Sequence, residues 1–94
     1  MKARVTMSVQ PDGSFELHVN DAGRALLIKK LQGLSEQSDH FHLEHDDDAE
    51  VPLSAIAYNA ADKVLLTGRV LFRPDEWDQT YFPHVMGGVG GKVR

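Results

Sequence analysis

The stretch Val19–His45, VNDAGRALLIKKLQGLSEQSDHFHLEH, decides the fold, because the hydrophobic period changes twice inside it. Leu27, Ile28, Leu31 and Leu34 recur at the helical period of about 3.6, with Arg24, Lys29, Lys30 and Gln32 off that stripe. The pattern predicts one main amphipathic helix. Asn20 or Asp21 can accept from the free amides of its first turn, Gly33 weakens its far end, and the helix is expected to close near Gln37. From His40 the period returns to two: Phe41 and Leu43 face one way, His40, His42 and Glu44 the other. That is a strand with an apolar and a polar face.

Working toward the N-terminus, Phe15, Leu17 and Val19 alternate with Glu16, His18 and Asn20, and Ala3, Val5, Met7 and Val9 alternate with Arg4, Thr6 and Ser8. Between these runs, QPDGS places Pro11 at a central turn position and Gly13 where positive φ is needed, so the two strands form an antiparallel hairpin. Toward the C-terminus, the acidic DDDAEVP is a solvated loop closed by Pro52. Leu53–Asp62, LSAIAYNAAD, is compatible with a short strand, a helical turn or an ordered loop. In KVLLTGRVLFR, Val64, Leu66, Val70 and Phe72 share a face, with Gly68 as a bulge or as the turn between two short strands. RPDEWDQTYF opens with Pro and two acids, the chemistry of a first helical turn.

The order ββαβ(x)β predicts an α+β two-layer sandwich: an antiparallel sheet of four to five strands with the main helix on one face. A chain of 94 residues holds one domain, placed at residues 1–86, and the glycine-rich residues 87–94 read as a flexible tail. One sheet face is left over for water or for a second copy of the chain.

Composition narrows the function classes. The absence of cysteine excludes a disulfide framework, a thiolate zinc site and a cysteine nucleophile. A net charge of −4 argues against nucleic-acid binding, which needs a clustered basic face, and favours a basic protein partner. No segment approaches the roughly 20 apolar residues of a membrane helix, and the first residues lack an apolar leader core, so a cytoplasmic protein is expected.

Two groups of residues carry possible chemistry. His40, His42 and Glu44 lie at about 6.6 Å steps on one side of their strand and could chelate zinc, with His18 joining if its strand is a neighbour. Alternatively these histidines are amphipathic residues of an exposed sheet face, packing their rings across strands with no metal. Asp46, Asp47 and Asp48 lack the alternating acids, central glycine and terminal glutamate of a helix-loop-helix calcium site, so with Glu44 and Glu50 they read as an acidic binding surface. Ser35, Ser38 and Ser54 lie in no nucleophile elbow. Arg73, Trp77, Tyr81 and Phe82 either anchor an interface or seal the small core.

The run Phe15–His45 and the strand KVLLTGRVLF resemble the immunity protein 32 family of bacterial polymorphic-toxin systems. The match consists of a strand ending in Asn, a polar residue and Gly opening a Leu-rich helix, and then a His-x-His-Leu strand. The resemblance implies a small noncatalytic protein that binds and neutralises a cognate toxin. Two rivals remain, a metal-dependent protein built on His40, His42 and Glu44, and a structural homodimer joined through the open sheet face or an edge strand.

Overall fold

The structure, a computed structural model, describes residues 2–87 as an α+β fold with two three-stranded sheets and two helices. Its elements are β1 (Val5–Val9), β2 (Phe15–Val19), α1 (Asp21–Gln32), β3 (His40–Glu44), β4 (Val51–Pro52), β5 (Lys63–Leu65), β6 (Thr67–Leu71) and α2 (Asp75–Tyr81), then a 3-10 turn at Pro83–Met86. The glycine-rich tail expected over 87–94 lies, beyond Gly87, outside the described residues.

The hairpin forms as the alternation predicts, with Val5 opposite Val19, Met7 opposite Leu17 and Val9 opposite Phe15. Gly13 takes φ +89° and donates its N–H to the Gln10 carbonyl at 2.9 Å, the left-handed closure that a residue with a Cβ resists. Asn20 is the N-cap of α1: its Oδ1 accepts from Gly23 N at 2.7 Å. The same oxygen accepts from Arg4 N at 2.9 Å, while Asn20 Nδ2 donates to the Lys2 carbonyl, so this residue ties the start of the helix to the entry of β1. Gly23 is buried against that junction, and a Cβ on it would lie 2.5 Å from the Arg4 carbonyl oxygen.

α1 stops at Gln32 with Gly33 as its C-cap, short of the expected end at Gln37. The polar residues Ser35–Asp39 form a turn instead, in which Ser35 N donates to the Ser38 carbonyl and Ser38 N to Ser35 Oγ. Serine and aspartate offer the backbone such local partners, which compete with continuing the helix.

The single antiparallel sheet of four to five strands is replaced by two sheets, β2-β1-β5 and β4-β3-β6. The stretch 63–71 passes from one to the other: β5 pairs antiparallel with β1, and β6 pairs antiparallel with β3. The break falls at Leu66, whose carbonyl accepts the His45 N–H at 2.9 Å, and not at Gly68. That break shifts the alternation by one residue. Leu65 sits opposite buried Met7, and Val70 opposite buried Phe41, so the shared face expected for Val64, Leu66, Val70 and Phe72 is divided. The sheets approach closely at Gly68, where a Cβ would lie 3.1 Å from Met7 Cε.

Leu53–Asp62 resolves into the continuation of β4 and a loop. β4 runs parallel to β3, and Leu53 bridges in parallel to Val5, so the pairings return to β1 and close a circuit through both sheets. The core inside it is Val5, Met7, Phe41, Leu43, Val51 and Leu53, with Leu26 and Leu27 of α1 and Leu34 just beyond its end packed against it. Each buried apolar side chain of this kind contributes about 1.5–3 kcal/mol. Trp77, Tyr81 and Phe82 lie outside the core: Tyr81 is 71% exposed, and Arg73 stacks over Phe82 at 4.6 Å.

Candidate functional site

β3 carries the histidine face. Phe41 and Leu43 are buried, which forces His40, His42 and Glu44 to the other side, where Leu71, Arg69 and Thr67 of β6 stand opposite them. The His40 and His42 rings meet edge to face, centroids 5.0 Å apart. Each has a carboxylate beside its Nδ1: Asp39 Oδ1 at 2.8 Å from His40, and Glu50 Oε1 at 3.4 Å from His42. A carboxylate only accepts, so Nδ1 of His40 donates. That hydrogen bond holds the Asp39 carboxyl below its ordinary value, and the backbone N–H of His42, donated to Glu50 Oε1 at 2.9 Å, does the same for Glu50. Lys30 of α1 lies 3.7 Å from the other Glu50 oxygen, linking helix to strand.

The acidic turn follows directly. Asp46 N donates to the Glu44 carbonyl, Ala49 N to the Asp46 carbonyl and Asp48 N to Asp46 Oδ1, so Asp46 builds the turn with its own side chain. Asp47 meets Lys2 at 3.2 Å with both side chains largely in water, a pairing that adds little to stability. His45 turns away from the acids and pairs its Nδ1 with the Leu53 carbonyl at 2.8 Å. Beside the turn opens a groove of about 480 Å³, lined among others by Arg4, Asp47, Pro52, Leu53 and Ile56. Ile56 is 79% exposed at its rim.

The zinc set does not assemble. His18 belongs to the other sheet, where its ring stacks on Tyr58 with centroids 3.9 Å apart, so it cannot join His40 and His42. Among the described residues no group of three His, Cys, Asp or Glu side chains is disposed to hold a metal ion. The His40 and His42 rings are oriented together, but Glu44, on the same side of β3, does not complete a group of three with them. Two of the candidate serine hydroxyls serve local turns: Ser35 Oγ accepts from Ser38 N, and Ser54 Oγ from Ile56 N.

No protein-family model, curated protein or solved structure matches this chain. Among the described residues, no helix is long and apolar enough to cross a membrane.

Asp39, Lys30 and Arg69 join this region without having been singled out by the sequence. Asp39 had a local signal, being adjacent to His40. Lys30 and Arg69 had none, because each arrives from an element distant in the chain.

Proposed function

We propose that this chain is a noncatalytic protein-binding module that docks a basic protein surface on the acidic turn Glu44–Glu50 and the groove beside it. The observation that carries the reading is the juxtaposition of exposed Asp46, Asp47 and Asp48 with an apolar groove rimmed by exposed Ile56. Charges at a rim steer encounter and set the rate of association, while an apolar anchor in a groove slows dissociation. A net charge of −4 adds long-range attraction for a cationic partner.

The likeness of Phe15–His45 to immunity protein 32 gives the reading its specific form, neutralisation of a toxin domain by occupying a basic channel. The test is stopped-flow association with a basic toxin domain encoded beside this chain's gene. The chain with Asp46→Asn, Asp47→Asn and Asp48→Asn keeps the turn oxygen and loses three charges. Its on-rate should drop by about tenfold or more at low ionic strength and converge on the parent at high salt. An on-rate indifferent to both the substitutions and salt would overturn the docking surface.

A further inference from the structure

We propose that two copies of this chain associate through β2, antiparallel and edge to edge about Leu17, so that the β2-β1-β5 sheet continues across a two-fold axis. The inference uses none of the acidic turn and stands apart from the docking reading.

β2 is the outer strand of its sheet. Asn20 N donates to the Arg4 carbonyl and Gln10 N to the Ser14 carbonyl, which fixes the even-numbered residues of β2 as those bonded to β1. The N–H and C=O groups of Phe15, Leu17 and Val19 therefore point to the free edge. Phe15–Val19 contains no proline, lysine or arginine and is paired without a bulge over its whole length; its one charged residue is Glu16. β6, the comparable free edge of the other sheet, carries Arg69 and a glycine.

The sequence of this edge is complementary to itself. Antiparallel pairing centred on Leu17 places Phe15 opposite Val19 of the second copy, Leu17 opposite Leu17, and Glu16 opposite His18. The outward-pointing backbone of Phe15, Leu17 and Val19 makes these three positions the hydrogen-bonded pairs, with two bonds each. Glu16 and His18 then fall at the closer, non-hydrogen-bonded positions, where a carboxylate can accept from an imidazole N–H across the strands. They lie 3.4 Å apart within one copy, and pairing would make an alternating group of four. Centring on Glu16 instead would face carboxylate with carboxylate, and centring on His18 would leave Glu16 with no imidazole opposite, so the Leu17 register alone pairs the two.

The apolar side chains agree. Phe15 and Leu17 are 55% and 48% exposed, and with Leu31 of α1, 51% exposed, they border an apolar cavity of about 460 Å³ between β2, the helix and the second sheet. Pairing sets the Phe15, Leu17 and Val19 of the second copy beside this strip and doubles it across the axis.

The chain has no cysteine, so single-cysteine variants report the register directly. Sedimentation of the full chain over a range of concentrations should give a dimer. Mild oxidation should link Leu17→Cys to itself, since paired α-carbons stand about 5.5 Å apart, within disulfide reach. Phe15→Cys should not link to itself, its two copies lying about 13 Å apart along the strands, but should link to Val19→Cys on mixing. Leu17→Lys should sediment as a monomer, and the cysteine comparison decides the register whether or not that variant folds. A monomer at every concentration, or Phe15→Cys linking to itself as readily as Leu17→Cys, would overturn the proposal. Raised salt that slows docking at the acidic turn should leave this interface of backbone bonds and apolar side chains intact, so the two readings fail separately.

Discussion

Glu50 Oε1 accepts the backbone N–H of His42 at 2.9 Å, in the place where a longer β4 would set a carbonyl. β3 directs its even-numbered residues toward β4, as the bond from Leu53 N to the Glu44 carbonyl shows, but β4 begins only at Val51. A side chain thus completes a ladder that the backbone leaves short, and Lys30 holds that side chain from the helix.

The acid limb of the stability curve should report this contact. The native carboxyls of Glu50, Asp39 and Asp12 all sit below their ordinary values, held there by the His42 N–H, the His40 ring and Ser14 respectively. The unfolded chain therefore binds more protons on acidification, and the stability these groups add is full above about pH 4.5, the ordinary glutamate value. It is lost as the pH falls through the depressed native values. Denaturant titrations from neutral to acid pH should show that loss, flattened in Glu50→Gln. Glu50→Ala, which removes the acceptor as well as the charge, should be the less stable of the two at neutral pH.

Two glycines of one helix should respond with opposite signs. Gly23→Ala forces a Cβ to within 2.5 Å of the Arg4 carbonyl oxygen, a backbone atom that cannot step aside, and should destabilise by about 1–3 kcal/mol. Gly33→Ala meets nothing closer than 3.5 Å at φ −81°, and should stabilise by about 0.4–1 kcal/mol through the unfolded state. Chemical denaturation of the pair checks both at once.

Thr6 is 1% exposed and its hydroxyl has no hydrogen-bond partner among the described residues. Thr6→Val keeps the shape and the β-branching while removing an unsatisfied buried group. Its denaturation midpoint should rise, by about 1 kcal/mol in stability. A fall would mean that the hydroxyl is satisfied in solution.

The acidic turn separates charge from architecture. Asp46→Ala removes the oxygen that accepts Asp48 N and should destabilise by about 0.5–1.5 kcal/mol, whereas Asp47→Ala and Asp48→Ala should stay within about 0.5 kcal/mol of the parent. Thermal melts of the three single variants distinguish these outcomes.

The hairpin strands, β3, the main helix and its cap were legible because each rests on neighbours a few residues away, whereas Val51 and Pro52, expected in a solvated loop, form β4 with Val51 fully buried. Phe41 and Leu43 had to face the core once His40, His42 and Glu44 faced outward, and Asn20 reaches Gly23 within one turn. The acidic turn was legible for the same reason, since a run of carboxylates stays in water wherever it lies. The place of His18 was a non-local point: whether it approaches His40 depends on which strands share a sheet, and alternation within a strand carries no such information.

By itself, then, the sequence determined the hairpin strands, the start of the main helix, the apolar face of β3, and where charge gathers. Only the tertiary structure decided that the stretch 63–71 breaks at Leu66 and serves two sheets, that Leu53 closes onto Val5, and that Tyr58 stacks on His18. Local periodicity is fixed by backbone geometry over a few residues. Partnership between distant segments follows from which arrangement buries Val5, Met7, Phe41, Leu43, Val51 and Leu53 together, a condition on the whole chain at once.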